Sequence, residues 1–478
     1  MIDAHEIRHF IQHRTRRKTR PALALALALA LTLTVTQQAH AETLNFSQCI
    51  QIALKQNPDM MESQARVHEA EAGLKQATGS RVPKLTASIN AVGTNDALTA
   101  FGLKLSERQA NFNDFGAGQF NPSNPNVLSV QPNNLNYPGF VHNIDTRLEI
   151  DAPIYTGGMI DGGIKQAHAY VAAAQRGDRS ARQHLIFNVL QAYEGVHAAR
   201  AFVQVAKQAE TAAQSQLTMM TNMKKGGAIV KSDLLLAQVQ LQDIQIQRAQ
   251  AENALQSALD ELHVLLGIPL DQALDVGEEV NIPADHTALA VLRQQAIDHN
   301  PGIQALRQQV EAESANVDIA RAGEKPQIGL MLREDWNDAQ VGFGANSYTI
   351  GGTISWTAFD GGVTHGKIDQ AQAGRNQVVA RLSQAQANIA YQIGVAQRKA
   401  TEAEQRLAER QLALSQMEEA TRLVNKRYAS GVATITEELD AEAQLDKARA
   451  DVVSAHYDLI IRRASLELAL GQLDTGLF

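Results

Sequence analysis

The chain has 478 residues, 5% of them aromatic, and a formal net charge of −8. That length allows two or three ordinary domains or one extended one, and so few aromatics argue against a compact β protein. The negative balance excludes a phosphate-binding surface, so no nucleic acid is expected as a partner, and the single cysteine, Cys49, cannot close an intrachain disulfide.

Residues 1–41 read as a secretory signal peptide. Arg14, Arg16, Arg17, Lys18 and Arg20 form a basic start, and an Ala/Leu-rich run of 14 residues follows from Ala22 to Val35. That run is too short to span a bilayer as a helix, and Ala39-His40-Ala41 supplies a small-x-small cleavage site. His5, His9 and His13 have helical spacing, but they lie in this segment and carry no metal expectation. Loss of its six basic and two acidic residues takes the net charge from −8 to −12. Phe46-Ser47-Gln48 before Cys49 is not a lipoprotein processing site, so no lipid anchor is expected. No later segment has 18 consecutive apolar residues; any membrane span must be made of β-strands.

The remainder is one unit written twice. Ala53 to Pro58 recurs as Ala296 to Pro301, and each copy reaches another proline 25 residues later, at Pro83 and Pro326. Further on, Tyr155-Thr156-Gly157-Gly158 matches Phe359-Asp360-Gly361-Gly362, Gly227 matches Gly431, and Leu266-Gly267 matches Leu470-Gly471, all at an offset of 204. One register held over 113 positions is not chance similarity of helical sequence. The first repeat is assigned to 42–270, a linker to 271–290, the second repeat to 291–473 and a tail to 474–478. An excess of 39 residues in the first copy falls in a long loop over 95–143, crowded with Asn, Gly and Pro.

Each copy reads helix, strand, strand, long helix, turn, helix. The strands, about 83–93, 146–155, 326–336 and 347–359, alternate apolar with polar residues: Leu85, Ala87, Ile89 and Ala91 against Thr86, Ser88 and Asn90, for example. Strands of this pattern suit a transmembrane barrel, with apolar side chains toward lipid and polar ones toward a wet lumen. Trp336 and Tyr348 at one end, and Tyr155, Trp356 and Phe359 at the other, suit interfacial girdles. A soluble β-sandwich is the competing reading, but four strands make a very small one. Residues 157–223 and 361–427 contain no proline. At about 1.5 Å per residue each forms a rod of about 100 Å. Val378, Leu382, Ala385 and Ile389 keep coiled-coil spacing, as do Leu241, Ile244, Ala251, Leu255, Ala258, Leu262 and Leu265. Gly227 and Gly431 end the rods as left-handed caps.

Four strands cannot close a barrel, and open edges in lipid cost several kcal/mol per unpaired group. Two chains would give eight strands and a filled interior, so a water-filled conduit needs at least three. In the order and duplication of its Asn-Pro helix starts, Tyr/Phe-x-Gly-Gly strand exits and hairpin glycines, the mature chain resembles the TolC-type outer membrane efflux family. The resemblance implies a mainly α protein with a small β part: a homotrimer with a shared 12-strand barrel in outer-membrane lipid and long helical hairpins forming a periplasmic tunnel. It implies a periplasmic adaptor and an inner-membrane pump as partners, and export of drugs, metals or proteins. It also implies a periplasmic gate at the hairpin tips. Glu437 and Asp440, six and nine residues past Gly431, match the family's acidic pore ring; Tyr428 matches its gate tyrosine; Asp233, preceded by Ser232, is the acidic residue after Gly227. A closed-state bond between Tyr428 and Asp233 is expected. Where the family's best-known member has an arginine, two residues past the second glycine, this chain has Ala433, and Lys231 is the candidate substitute.

No nucleophile–base pair, phosphate loop or metal-ligand spacing stands out, so neither catalysis nor a cofactor is expected. A periplasmic coiled-coil adaptor is the alternative. It would carry one hairpin and soluble β domains, without the duplication.

Overall fold

The computed structural model describes residues 42–477. The expected signal peptide, with His5, His9 and His13, lies outside the described residues. The first copy runs β1 (Glu42–Leu44), α1 (Phe46–Gln56), α2 (Pro58–Gly79), β2 (Lys84–Thr94), α3 (Ala97–Ser106), β3 (Val141–Tyr155), α4 (Met159–Lys225) and α5 (Lys231–Leu266). The second runs β4 (Leu274–Val276), α6 (Leu289–His299), α7 (Pro301–Arg321), β5 (Gln327–Asp338), β6 (Asn346–Ser355), α8 (Val363–Ala429) and α9 (Ile435–Leu470).

The duplication is structural down to single hydrogen bonds. α4 and α8 are each 67 residues long, α5 and α9 each 36. Asn57 and Asn300 cap α2 and α7, each followed by proline at the first helical position, where no N–H is needed. Their amides then donate to Leu265 O (3.0 Å) and Ala469 O (3.3 Å), equivalent carbonyls near the ends of α5 and α9. Each cap therefore also fixes where the returning helix docks. Gly157-Gly158 and Gly361-Gly362 all take positive φ, between 68° and 97°, which turns a strand into a rod within two residues.

β2, β3, β5 and β6 form one antiparallel sheet in that order. Leu85, Ile150, Leu332 and Ile350 make one cross-sheet row on the apolar face. They are 37–74% exposed. On the polar face Arg147 Nε donates to Asp335 Oδ1 at 2.6 Å and Arg333 Nε to Asp335 Oδ2 at 2.8 Å, while Asn143 Nδ2 donates to Asn337 Oδ1 at 2.8 Å. Thr146 and Glu334 interrupt the apolar face near its loop end. Neither β2 nor β6 has a second neighbour in the sheet.

The segment read as a loop over 95–143 is partly regular. Asp96 caps α3 through Thr99 N at 2.9 Å, and β3 begins at Val141, opposite Thr94. Backbone pairing with β2 outweighs the Asn-rich composition there. β6 ends at Ser355, so Trp356 and Phe359 lie beyond the strand. The linker contains β4, which pairs in parallel with β1. Both are three residues long. This pairing anchors the start of the described chain to the join between the copies.

The largest core lies where α1, α4, α5, α9 and the linker meet. Phe46, Cys49, Ile50, Leu190, Tyr193, Leu262, Leu266 and Ile460 are buried there. Tyr193 Oη donates to Glu278 O at 3.0 Å, which satisfies the one polar atom of that ring. The second copy has a smaller core around Leu292, Ile393, Leu466 and Leu470. The four strands lie at one end of each rod and the glycine turns at the other. Among the described residues no helix is long and apolar enough to cross a membrane.

Candidate pore gate

The two hairpin tips come together. Met220 of α4, Ala237 of α5, Tyr428 of α8, Ala433 of the second turn and Ile435 of α9 share one buried cluster, with Leu217, Ile229, Leu234 and Leu439 packed on it. Gly227 and Gly431 both have φ 75°, so each turn takes the left-handed conformation that glycine tolerates.

The acidic candidates lie at helix starts, where the dipole favours negative charge. Asp233 is in the first turn of α5 and Glu437 in that of α9. Thr434 caps α9 by accepting from Glu437 N at 3.3 Å. Asp440 is exposed one turn on. Ser232 Oγ donates to Asp233 Oδ1 at 3.2 Å, so the serine orients its neighbour rather than reaching across the tip.

One expected contact is missing. The Tyr428–Asp233 bond is not formed: Tyr428 is 7% exposed and its Oη has no hydrogen-bond partner. The ring is held by packing in the tip cluster, and its phenol is pushed up by burial first, then by Glu438 and Asp233. Lys231 is exposed at the start of α5 and makes no ion pair among the described residues, while Ala433 is buried in the cluster. Arg427 Nη2 lies 3.7 Å from Glu437 Oε2.

The sequence reading missed Arg427 and Glu438. Arg427 lies four residues before Gly431, a position the turn brings back over α9. Glu438 reads as a solvated companion of Glu437, yet it is 4% exposed and its Oε2 has no partner. Burial, with Glu442 adding to it, pushes its carboxyl up to about 7. The available signal was spacing: Glu438, Glu442 and Asp446 recur every four residues on one helix face. Among the described residues no group of three or more His, Cys, Asp or Glu is placed to hold a metal ion.

The chain thus combines a duplicated pair of rods, a four-stranded sheet with an exposed apolar face and a joint tip of acidic helix starts. The family described as outer membrane efflux protein matches residues 129–268 and 292–472, and the chain belongs to it. That membership places it in the outer membrane, with its helices reaching into the periplasm. Among curated relatives it is 25% identical to the alkaline protease secretion protein AprF of Pseudomonas aeruginosa, over 62% of this chain and 63% of that protein. It is 23% identical to the solvent efflux pump outer membrane protein SrpC of Pseudomonas putida, over 66% of this chain and 68% of that one. The aligned part thus spans just under two thirds of AprF's length. Among solved structures, the outer membrane protein VceC of Vibrio cholerae superposes with a TM-score of 0.72 at 19% identity, covering 89% of this chain and 96% of that one. The CmeC outer membrane channel of Campylobacter jejuni superposes at 0.73 and 16% identity, covering 90% and 87%. At these identities the likeness establishes the fold.

Proposed function

We propose that three copies of this chain complete a 12-strand barrel and a helical tunnel, a passive conduit from periplasm to exterior with no catalytic chemistry of its own. A periplasmic adaptor and an inner-membrane pump deliver the cargo, as in tripartite efflux or type I secretion. The observation that carries this is the four-stranded sheet, apolar on its exposed face and unpaired at both edges, set on rods of 67 residues. In lipid those edges must be paired, and sister copies offer the matching strands. The relatives' names cover a protease secretion protein and a solvent efflux pump component. The conduit is therefore read as general, with cargo chosen by the pump.

Glu437 and Asp440 ring the periplasmic mouth in this reading, with Asp233 beside them at the gate, and carboxylates around a constriction favour cations. The test is reconstitution in planar bilayers. Stable, cation-selective pores are expected, and Glu437→Ala combined with Asp440→Ala lowers the cation preference several-fold. Pores whose selectivity ignores the double substitution would remove the ring; absence of pores would remove the conduit.

A further inference from the structure

We propose that Glu438 is a proton-operated latch of the periplasmic gate: the second hairpin tip packs closely on the first while this side chain is neutral, and loosens when it ionises. The inference rests on the conduit reading above and adds a control to it.

The argument starts from placement. Glu438 lies in the first turn of α9, buried where α9 meets α4 and α8. Gln216 of α4 and Tyr428 of α8 lie beside it. Four polar atoms here lack partners: Glu438 Oε2, Tyr428 Oη, Asn425 Oδ1 and, as the one amide donor among them, Gln216 Nε2. Asn425 Nδ2 is engaged elsewhere, donating to Glu442 Oε1 at 2.8 Å. A buried oxygen without a partner is costly, and an ionised one far more so.

No neighbouring cation relieves it. From α8, Arg427 is turned to Glu437 at 3.7 Å and Arg422 Nε to Glu419 at 2.6 Å, with Glu418 near Arg422 in the same groove. From α4, Lys207 lies in that groove and makes no ion pair among the described residues. From α5, Asp233 adds negative charge near Tyr428. On α9 itself, Glu442 and Asp446 continue the column, and Arg449 Nη1 pairs with Asp446 at 3.2 Å. The first copy has no such column. The residues 204 positions earlier are Leu234, Gln238 and Gln242.

The direction follows from the packed state. Burial holds Glu438 up to about 7, and burial holds Asp446 up to about 6, both with Glu442 adding to the rise. In a loosened, wet tip Glu438 returns to its ordinary value of 4.5. Between those values the packed tip keeps a proton that the loose tip has released. Packing is therefore strongest in acid, weakens as pH rises through that window, and is weakest above neutrality.

The experiment is single-channel recording of the full protein in planar bilayers from pH 5 to pH 7.5. Open probability is expected to rise by at least about tenfold, within the bound of about 60-fold per site that such a displacement sets over this pH range. Glu438→Leu, which writes the first copy's residue into the second, and the isosteric Glu438→Gln should both flatten this dependence. Glu437→Ala should keep it while altering ion selectivity. Native pores with no pH dependence, or Glu438→Gln pores that retain it, overturn the latch and leave the conduit standing. A native protein that makes no pores at any pH overturns the conduit reading instead.

Discussion

The two hairpin tips share a backbone and differ in chemistry. Both rods have 67 residues, both turns put glycine at φ 75°, and both returning helices have 36 residues. Yet Leu234, Leu236, Gln238 and Gln242 of the first copy correspond, 204 positions apart, to Glu438, Asp440, Glu442 and Asp446 of the second, and Lys224 corresponds to Tyr428. The turn glycines have been kept because their positive φ demands them, whereas the cap of the returning helix has changed from Val230 to Thr434. Side chains at the seam have been free to diverge, and they have concentrated ionisable groups in one hairpin. Shape is held in common by the copies; the column Glu438, Glu442 and Asp446 belongs to the second.

That contrast can be broken most forcefully by writing the second tip into the first. Leu234→Glu puts an unpaired carboxylate beside the tip cluster, and we expect a loss of about 1–3 kcal/mol, read as a lower midpoint in denaturant. A neutral result would mean the two seams are not equally dry. The shared geometry is sharpened by the caps. Asn57→Ala and Asn300→Ala should each cost about 1–2 kcal/mol, and similar amounts, because each removes a cap and a bond to the returning helix. Strongly unequal costs in thermal unfolding would show that the duplication is only geometric. Tyr428→Phe deletes a hydroxyl that has no partner, so the change should be within about 1 kcal/mol and favourable in sign. A clear loss of stability would reveal a partner for that hydroxyl, Asp233 foremost. The smallest effect belongs to Arg427→Ala. Both members of its pair with Glu437 are about half exposed, so the loss should stay within about 0.5 kcal/mol and shrink in high salt.

Much of this architecture could be read from residues alone because it repeats. A fixed offset over the rods, together with Asn-Pro and Gly-Gly punctuation, marks helix starts and turns through local backbone chemistry. The alternating strands were legible for the same reason, since a period of two survives any tertiary context. What escaped depends on contacts distant in sequence. β1 and β4 are too short to show a period and exist only because they pair with each other. α3 and the start of β3 were hidden by an Asn-rich neighbourhood whose composition signals turns. At the hairpin tips, the sequence marks Asp233, Tyr428, Glu437 and Asp440, but burial separates Glu438 from Glu437, its neighbour in the chain. No local pattern encodes that difference, which arises where α9 meets α4 and α8.

The central claim is that sister chains complete the sheet in lipid, and the most direct test is the native mass of the purified protein. Extraction should require detergent, and the particle should carry three chains. A folded single-chain particle, stable in detergent-free buffer with β2 and β6 open to aqueous labels, would contradict the account.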